Sequence, residues 1–200
     1  MSGTVYLASE DSALLRRTLQ PYSGLSCLEI GAGNGGNLVG LAKRFGTVVG
    51  TDLVRPEMSD WKEAGANYIL ADGASCLRPD SFDLVAFNPP YLAEGDSPDR
   101  AVGGGSHLEV PKRFLREALR TVNDGGAIVF LLNDEADPGE FGRLCARSGF
   151  HLERVASKRV FFEELSVFTA SRQPRRKARG AEPGPLKGKG HAPPQSDFHF

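Results

Sequence analysis

Cysteine is scarce in this 200-residue chain, and the three present, Cys27, Cys76 and Cys145, are odd in number and widely spaced. That spacing fits neither a disulfide frame nor a zinc cluster, so they read as buried thiols kept reduced. No apolar run approaches the roughly 20 residues that cross a bilayer. The N-terminus lacks the apolar core of a signal peptide, which leads to the expectation of a cytoplasmic protein. No internal repeat is visible. Histidine is equally sparse: His107 has no acid or second histidine at ligand spacing, so no metal site is expected.

The chain also lacks a net charge of any size, at −1, but the charges are unevenly placed. Residues 172–200 carry seven Lys or Arg against Glu182 and Asp197, leaving 17 basic and 23 acidic side chains in residues 1–171. An acidic body argues against charge-driven nucleic-acid binding by the folded part. The tail is rich in Pro and Gly, is nearly devoid of aliphatics, and reads as disordered. Any nucleic-acid contact is expected through that tail only. Residues 1–171 are expected to form one domain.

Along that domain, short apolar runs alternate with amphipathic segments, the pattern of a mostly parallel sheet with helices on both faces. Helices are expected over 9–20 with Ser9 as N-cap, over 36–45, from Pro56 to Gly65, over 110–122 and over 140–148. Strands are expected over 26–30, 47–53, 67–70, 82–87 and 127–132, with 152–160 and 165–170 as an antiparallel edge hairpin. That makes a seven-stranded, Rossmann-like α/β fold. Residues 93–107 form a long irregular stretch, and such loops are usually functional or disordered.

Chemistry concentrates at the ends of these strands. Glu29, Gly31, Gly33 and Gly35 lie between the first strand and the first following helix, where glycines let backbone approach a ligand at a helix N-terminus. Asp52, with Leu53 beside it, ends the second strand, where a carboxylate can accept from both hydroxyls of a ribose. The spacing Gly31-x-Gly33-x-x-Gly36 also satisfies the dinucleotide fingerprint. Glu29 departs from it, standing where a dinucleotide site has an apolar residue. Asp72 ends the third strand and precedes the small Gly73 and Ala74, a place where a carboxylate accepts from an adenine amino group. Together these describe a site for adenosine with a zwitterionic arm.

Asn88-Pro89-Pro90-Tyr91 closes the run Phe82 to Phe87. A Pro-Pro pair cannot continue a central strand, so the strand stops and Asn88 stands beside a stiff corner. A carboxamide, rigid carbonyls and the flat ring of Tyr91 suit a planar group bearing NH2, either a carboxamide or an adenine edge. Asn88 and Pro89 are expected to hold that NH2, with Pro90 and Tyr91 completing the acceptor site, and Asn88 also borders the adenosine site.

These residues resemble the class I S-adenosylmethionine-dependent methyltransferases. Residues 4–171 are similar to the short, single-domain branch of the HemK family of protein-glutamine methyltransferases. The likeness runs through the segment from Tyr6 to Ser12, Phe87 to Tyr91, the glycines after Val102, and the segment from Glu164 to Phe168. The chain departs at Leu7 or Ala8, where the family has proline, and in the loop after Tyr91. The resemblance implies S-adenosyl-L-methionine as cofactor, with Asp11 near the amino group of its methionine arm. It implies the glutamine of a Gly-Gly-Gln loop in a translation release factor as substrate. It also implies a small zinc-binding activator protein covering an apolar flank. Adenine-N6 methylation of DNA or RNA stays open as an alternative reading, and a noncatalytic cofactor-fold binding protein as a third.

Overall fold

The computed structural model describes residues 3–54, 60–90 and 108–172. The elements in chain order are α1 (Gly3–Thr18), β1 (Gly24–Ile30), α2 (Gly36–Ala42), β2 (Phe45–Asp52), α3 (Asp60–Glu63) and β3 (Asn67–Leu70). They continue with β4 (Phe82–Phe87), α4 (Glu109–Thr121), β5 (Val122–Leu132), α5 (Pro138–Arg147), β6 (Phe150–Val160) and β7 (Glu163–Arg172). One seven-stranded sheet has the order β3-β2-β1-β4-β5-β7-β6. Strands β1 to β5 run parallel, and β7 is antiparallel to both β5 and β6. This is the expected architecture, edge hairpin included.

Side-chain alternation along the strands feeds two cores. Leu28, Ile30, Phe87, Phe130 and Leu132 face α4 and α5, meeting Phe114, Leu115 and Phe141. Cys27, Ala86, Val129 and Leu131 face α1 and α2, meeting Leu15, Leu19, Leu38 and Leu41. Phe130 stacks on Phe87 at 4.8 Å and on Phe168 at 5.9 Å. Each such fully buried side chain stabilises the fold by about 1.5–3 kcal/mol. The strand order reverses between β1 and β4, and the carboxyl ends of those strands therefore border a crevice.

Several local expectations are corrected. Ser9 does not cap α1, which begins at Gly3 and carries Ser9 in its interior. Helix α2 stops at Ala42 because Phe45 already belongs to β2, where it is buried. Helix α5 starts at Pro138, with the Asp137 side chain accepting from Gly139 N–H, an N-cap followed by proline in the first turn. Strand β5 begins at Val122 directly after α4, and its register with β4 shifts between Phe82 and Leu84. Cys27 and Cys145 are buried, but Cys76 is exposed because it lies in the turn after β3 and not in a strand. Burial raises the Cys145 thiol to about 11.

Strand β7 reaches Arg172, whose guanidinium lies 5.0 Å from the centre of the Phe150 ring. Pro56, Tyr91, the 93–107 stretch with His107, and residues 173–200 lie outside the described residues. Among the described residues no helix is long and apolar enough to cross a membrane. No group of three or more His, Cys, Asp or Glu among them could hold a metal ion.

Candidate active site

The carboxyl ends of β1, β2 and β4, with the turn after β3, bring the expected residues to one edge of the sheet. After β1 the chain passes through Gly31, Gly33 and Gly35, with φ of 69°, 54° and 78°. Side chains rarely adopt these left-handed values, which is why glycine recurs there. A Cβ on Gly35 would lie 2.7 Å from Trp61 Cδ1, whereas one on Gly33 would meet nothing within 4 Å. Gly33 is therefore the open side of the turn. Asn34 Oδ1 accepts the Gly36 N–H at 3.1 Å, at the start of α2.

Asp52 closes the other wall. Its two carboxylate oxygens accept the N–H groups of Gly33 at 2.8 Å and Val54 at 3.0 Å. Each oxygen keeps a further lone pair for an outside donor. Leu53 beside it is 62% exposed. Tyr68, on β3, donates its hydroxyl to the Gly33 carbonyl at 2.6 Å and packs against Trp61 at 5.3 Å. This tie between β3 and the glycine turn has no signature in the sequence.

Glu29, at the end of β1, is 3% exposed. Asn37 Nδ2 donates to its Oε1 at 2.6 Å, and its Oε2 is buried without a partner. Burial raises its carboxyl to about 7 against the opposing pull of the Asn37 hydrogen bond. Asp72 stands in the turn after β3, half exposed, and accepts from Arg113 of α4 at 2.6 Å. That hydrogen bond holds its carboxyl below the usual carboxylate range. A Cβ on Gly73 would collide with the carboxylate of Glu117, which also accepts from Ala74 N–H. The small size of these residues lets α4 close on the turn.

At the end of β4, Asn88 is partly buried, Pro89 is buried and Pro90 is half buried. Asp11, expected beside a cofactor amino group, meets Asn88: Asn88 Nδ2 donates to Asp11 Oδ2 at 2.9 Å. Asn88 Oδ1 is buried with no partner among the described residues. One strand further, Asn133 Nδ2 donates to Glu163 Oε1 at 3.4 Å, while Asn133 Oδ1 and Glu163 Oε2 are also unpartnered. Neither residue was legible as part of this edge, because no motif marks a polar residue after a buried strand. A buried acceptor without a donor costs about 1–3 kcal/mol.

Residues 28–94, which hold the glycine turn, Asp52, Asp72 and Asn88, match the methyltransferase domain family. The chain is 29% identical over 182 residues to a Methanocaldococcus jannaschii protein named "Putative protein N5-glutamine methyltransferase", covering 84% of this chain and 92% of that one. It is 23% identical over 155 residues to the "Release factor glutamine methyltransferase" of Rhodopirellula baltica, covering 65% of this chain but 52% of that longer protein. Among solved structures, the E. cuniculi Mtq2-Trm112 complex, described as responsible for methylation of the eRF1 translation termination factor, superposes with a TM-score of 0.67. Identity there is 27%, over 82% of this chain and 96% of the matched one.

Proposed function

Because the chain is a HemK-like class I methyltransferase that uses S-adenosylmethionine, we propose that its acceptor is a glutamine side-chain amide. The acceptor fitting best is the glutamine of the Gly-Gly-Gln loop of a translation release factor. The observation that carries this reading is the buried, unpartnered Oδ1 of Asn88 beside the rigid Pro89-Pro90 corner. A planar NH2 supplies the donor that this oxygen lacks.

The residues present fit the cofactor. Glu29 Oε2 is a buried acceptor suited to an ammonium group, and Gly33 leaves its side of the turn open. Gly31, Gly33 and Gly35 would cradle the methionine arm, Asp52 with Leu53 the ribose, and Asp72 with Gly73 the adenine. When bound, S-adenosylmethionine would supply a sulfonium-activated methyl group, and the amide nitrogen that takes it would release one N–H proton to solvent. The chain's task is alignment, which is worth about 7–11 kcal/mol in well-oriented systems. A carboxamide nitrogen is a poor nucleophile because its lone pair is delocalised into the carbonyl. Asn88 Oδ1 and the Pro89 carbonyl would accept its two N–H bonds, turning the lone pair toward the methyl, while Pro90 and Tyr91 flank the amide plane.

A small zinc-binding activator is the partner we propose. Support comes from the two-protein assembly of the matched structure and from Val54 and Leu70, which are exposed beside the outer strand β3. Labelled methyl groups are expected on a Gly-Gly-Gln release factor, with co-expression of the activator raising yield or turnover. Asn88→Ala is expected to abolish transfer while still binding cofactor. Methylation of adenine in oligonucleotides with the release factor untouched would overturn the glutamine reading.

A further inference from the structure

Asp11 and Asn88 are 77 positions apart, and each determines how the other is used. Asp11 is 4% exposed on α1. Its Oδ1 accepts the Ser12 N–H at 2.6 Å and its Oδ2 accepts Asn88 Nδ2 at 2.9 Å. A carboxylate only accepts, so the edge of the Asn88 amide turned toward it has to be the NH2. The carbonyl oxygen consequently points the other way, where it is buried and unpartnered. The neighbouring Glu10 is ion-paired with Lys158 of β6, which ties this turn of α1 to the sheet.

We propose that Asp11 is a positioning residue that fixes the flip of the Asn88 amide, so that Oδ1 and not Nδ2 meets the acceptor's NH2. The inference rests on the reading that the acceptor presents such a group. The terminal torsion of an asparagine is broad and roughly two-fold. Without a neighbour that discriminates its ends, the amide can also turn its own NH2 toward the incoming NH2, an orientation in which two donors face each other. A carboxylate on the far edge removes that orientation. It also polarises the amide and leaves Oδ1 a stronger acceptor. Asp11 thus acts through Asn88 and not through the cofactor's amino group.

The two roles separate in kinetics. In Asp11→Ala, kcat on the release factor is expected to fall about 10- to 150-fold, the size of one charge-assisted hydrogen bond. Cofactor affinity by calorimetry should stay within about threefold of wild type, since no contact made only in the cofactor complex is lost. Asp11→Asn, which can turn its own oxygen to Asn88 Nδ2, should recover a measurable part of the loss. A fall in cofactor affinity with kcat retained overturns the proposal and returns Asp11 to the cofactor site. Nitrogen-15 NMR of the Asn88 side chain gives a second readout that needs no acceptor. Its NH2 protons should be shifted and protected in wild type and lose both properties in Asp11→Ala. An unchanged resonance also overturns the proposal. If wild type methylates no release factor, the glutamine reading fails while this measurement still decides the role of Asp11.

Discussion

Asn37, on α2, donates its side-chain amide to Glu29 at 2.6 Å, and Arg16 of α1 decides which way that amide faces. Arg16 Nε donates to Asn37 Oδ1 at 3.2 Å. A guanidinium can only donate, so Asn37 has its oxygen toward Arg16 and its NH2 toward Glu29. The relay holds one Glu29 oxygen, while the other is buried with no partner among the described residues.

The first prediction follows from the burial that raises Glu29 to about 7. Its folded pKa lies above the ordinary 4.5, so its contribution to stability is full below about 4.5 and is lost as pH rises through about 7. Binding an ammonium group has the opposite preference, because only the carboxylate pairs with it. Cofactor affinity is expected to fall by up to about tenfold per pH unit below that value. Calorimetric titrations from acid to mildly alkaline pH should show this slope, and Glu29→Gln should flatten it. A slope unchanged in the variant assigns the titration elsewhere.

Two glycines of the turn should respond differently to the same methyl group. Gly35→Ala forces a Cβ to 2.7 Å from the Trp61 ring at φ +78° and is expected to cost about 2–4 kcal/mol of stability. Gly33→Ala meets nothing within 4 Å, so about 1–2 kcal/mol of backbone strain is expected. Its larger effect should be on cofactor affinity, because the methyl enters the open side. Thermal melts and binding titrations on the two variants would separate these effects. Equal melting losses with unchanged affinity would place the cofactor away from Gly33.

The Asp72–Arg113 pair is half exposed, a class of ion pair worth about 0–1 kcal/mol. Arg113→Ala is therefore expected to leave the fold and cofactor affinity nearly intact. Asp72→Ala should weaken cofactor binding by about tenfold through a lost hydrogen bond to adenine. An analogue lacking the adenine amino group should bind wild type and Asp72→Ala alike. A strong preference retained by Asp72→Ala would mean another group reads the base.

Asp83 should govern acid stability. Its carboxylate accepts from Leu25 N–H at 2.6 Å, Ser26 N–H at 3.0 Å and Asn123 Nδ2 at 2.6 Å, joining β1, β4 and β5. Burial pushes its carboxyl up, but these bonds outweigh it and leave the pKa below 3.8. The stabilisation is present above that value and is lost as pH falls through the lower, folded pKa. Asp83→Ala is expected to cost about 2–3 kcal/mol by denaturant melts at neutral pH. A difference that stays constant down to acid pH would show that the carboxylate charge plays no part.

Much of the site was legible because its residues sit where the backbone pattern changes. Glu29, Asp52 and Asn88 each fall at the last position of an apolar run or just beyond it, and parallel strands put all such ends on one edge. The left-handed Gly31, Gly33 and Gly35 were legible for the same local reason. Ser9 misled because serine also occurs within helices, and α1 runs past it to Gly3. Cys76 misled because composition does not tell a turn from a strand.

The amino-acid order by itself determined the alternation of elements, the strand ends that carry acids and amides, and the proline corner after Asn88. Those depend on dihedral preferences and on hydrophobic periods, which act over a few residues. Only the tertiary structure decided that Asp11 meets Asn88, that Arg16 and Glu29 both meet Asn37, and that Arg113 meets Asp72. Each of those pairs a donor with an acceptor from a separate element. Strand order and helix packing set such pairings, and no local period encodes them.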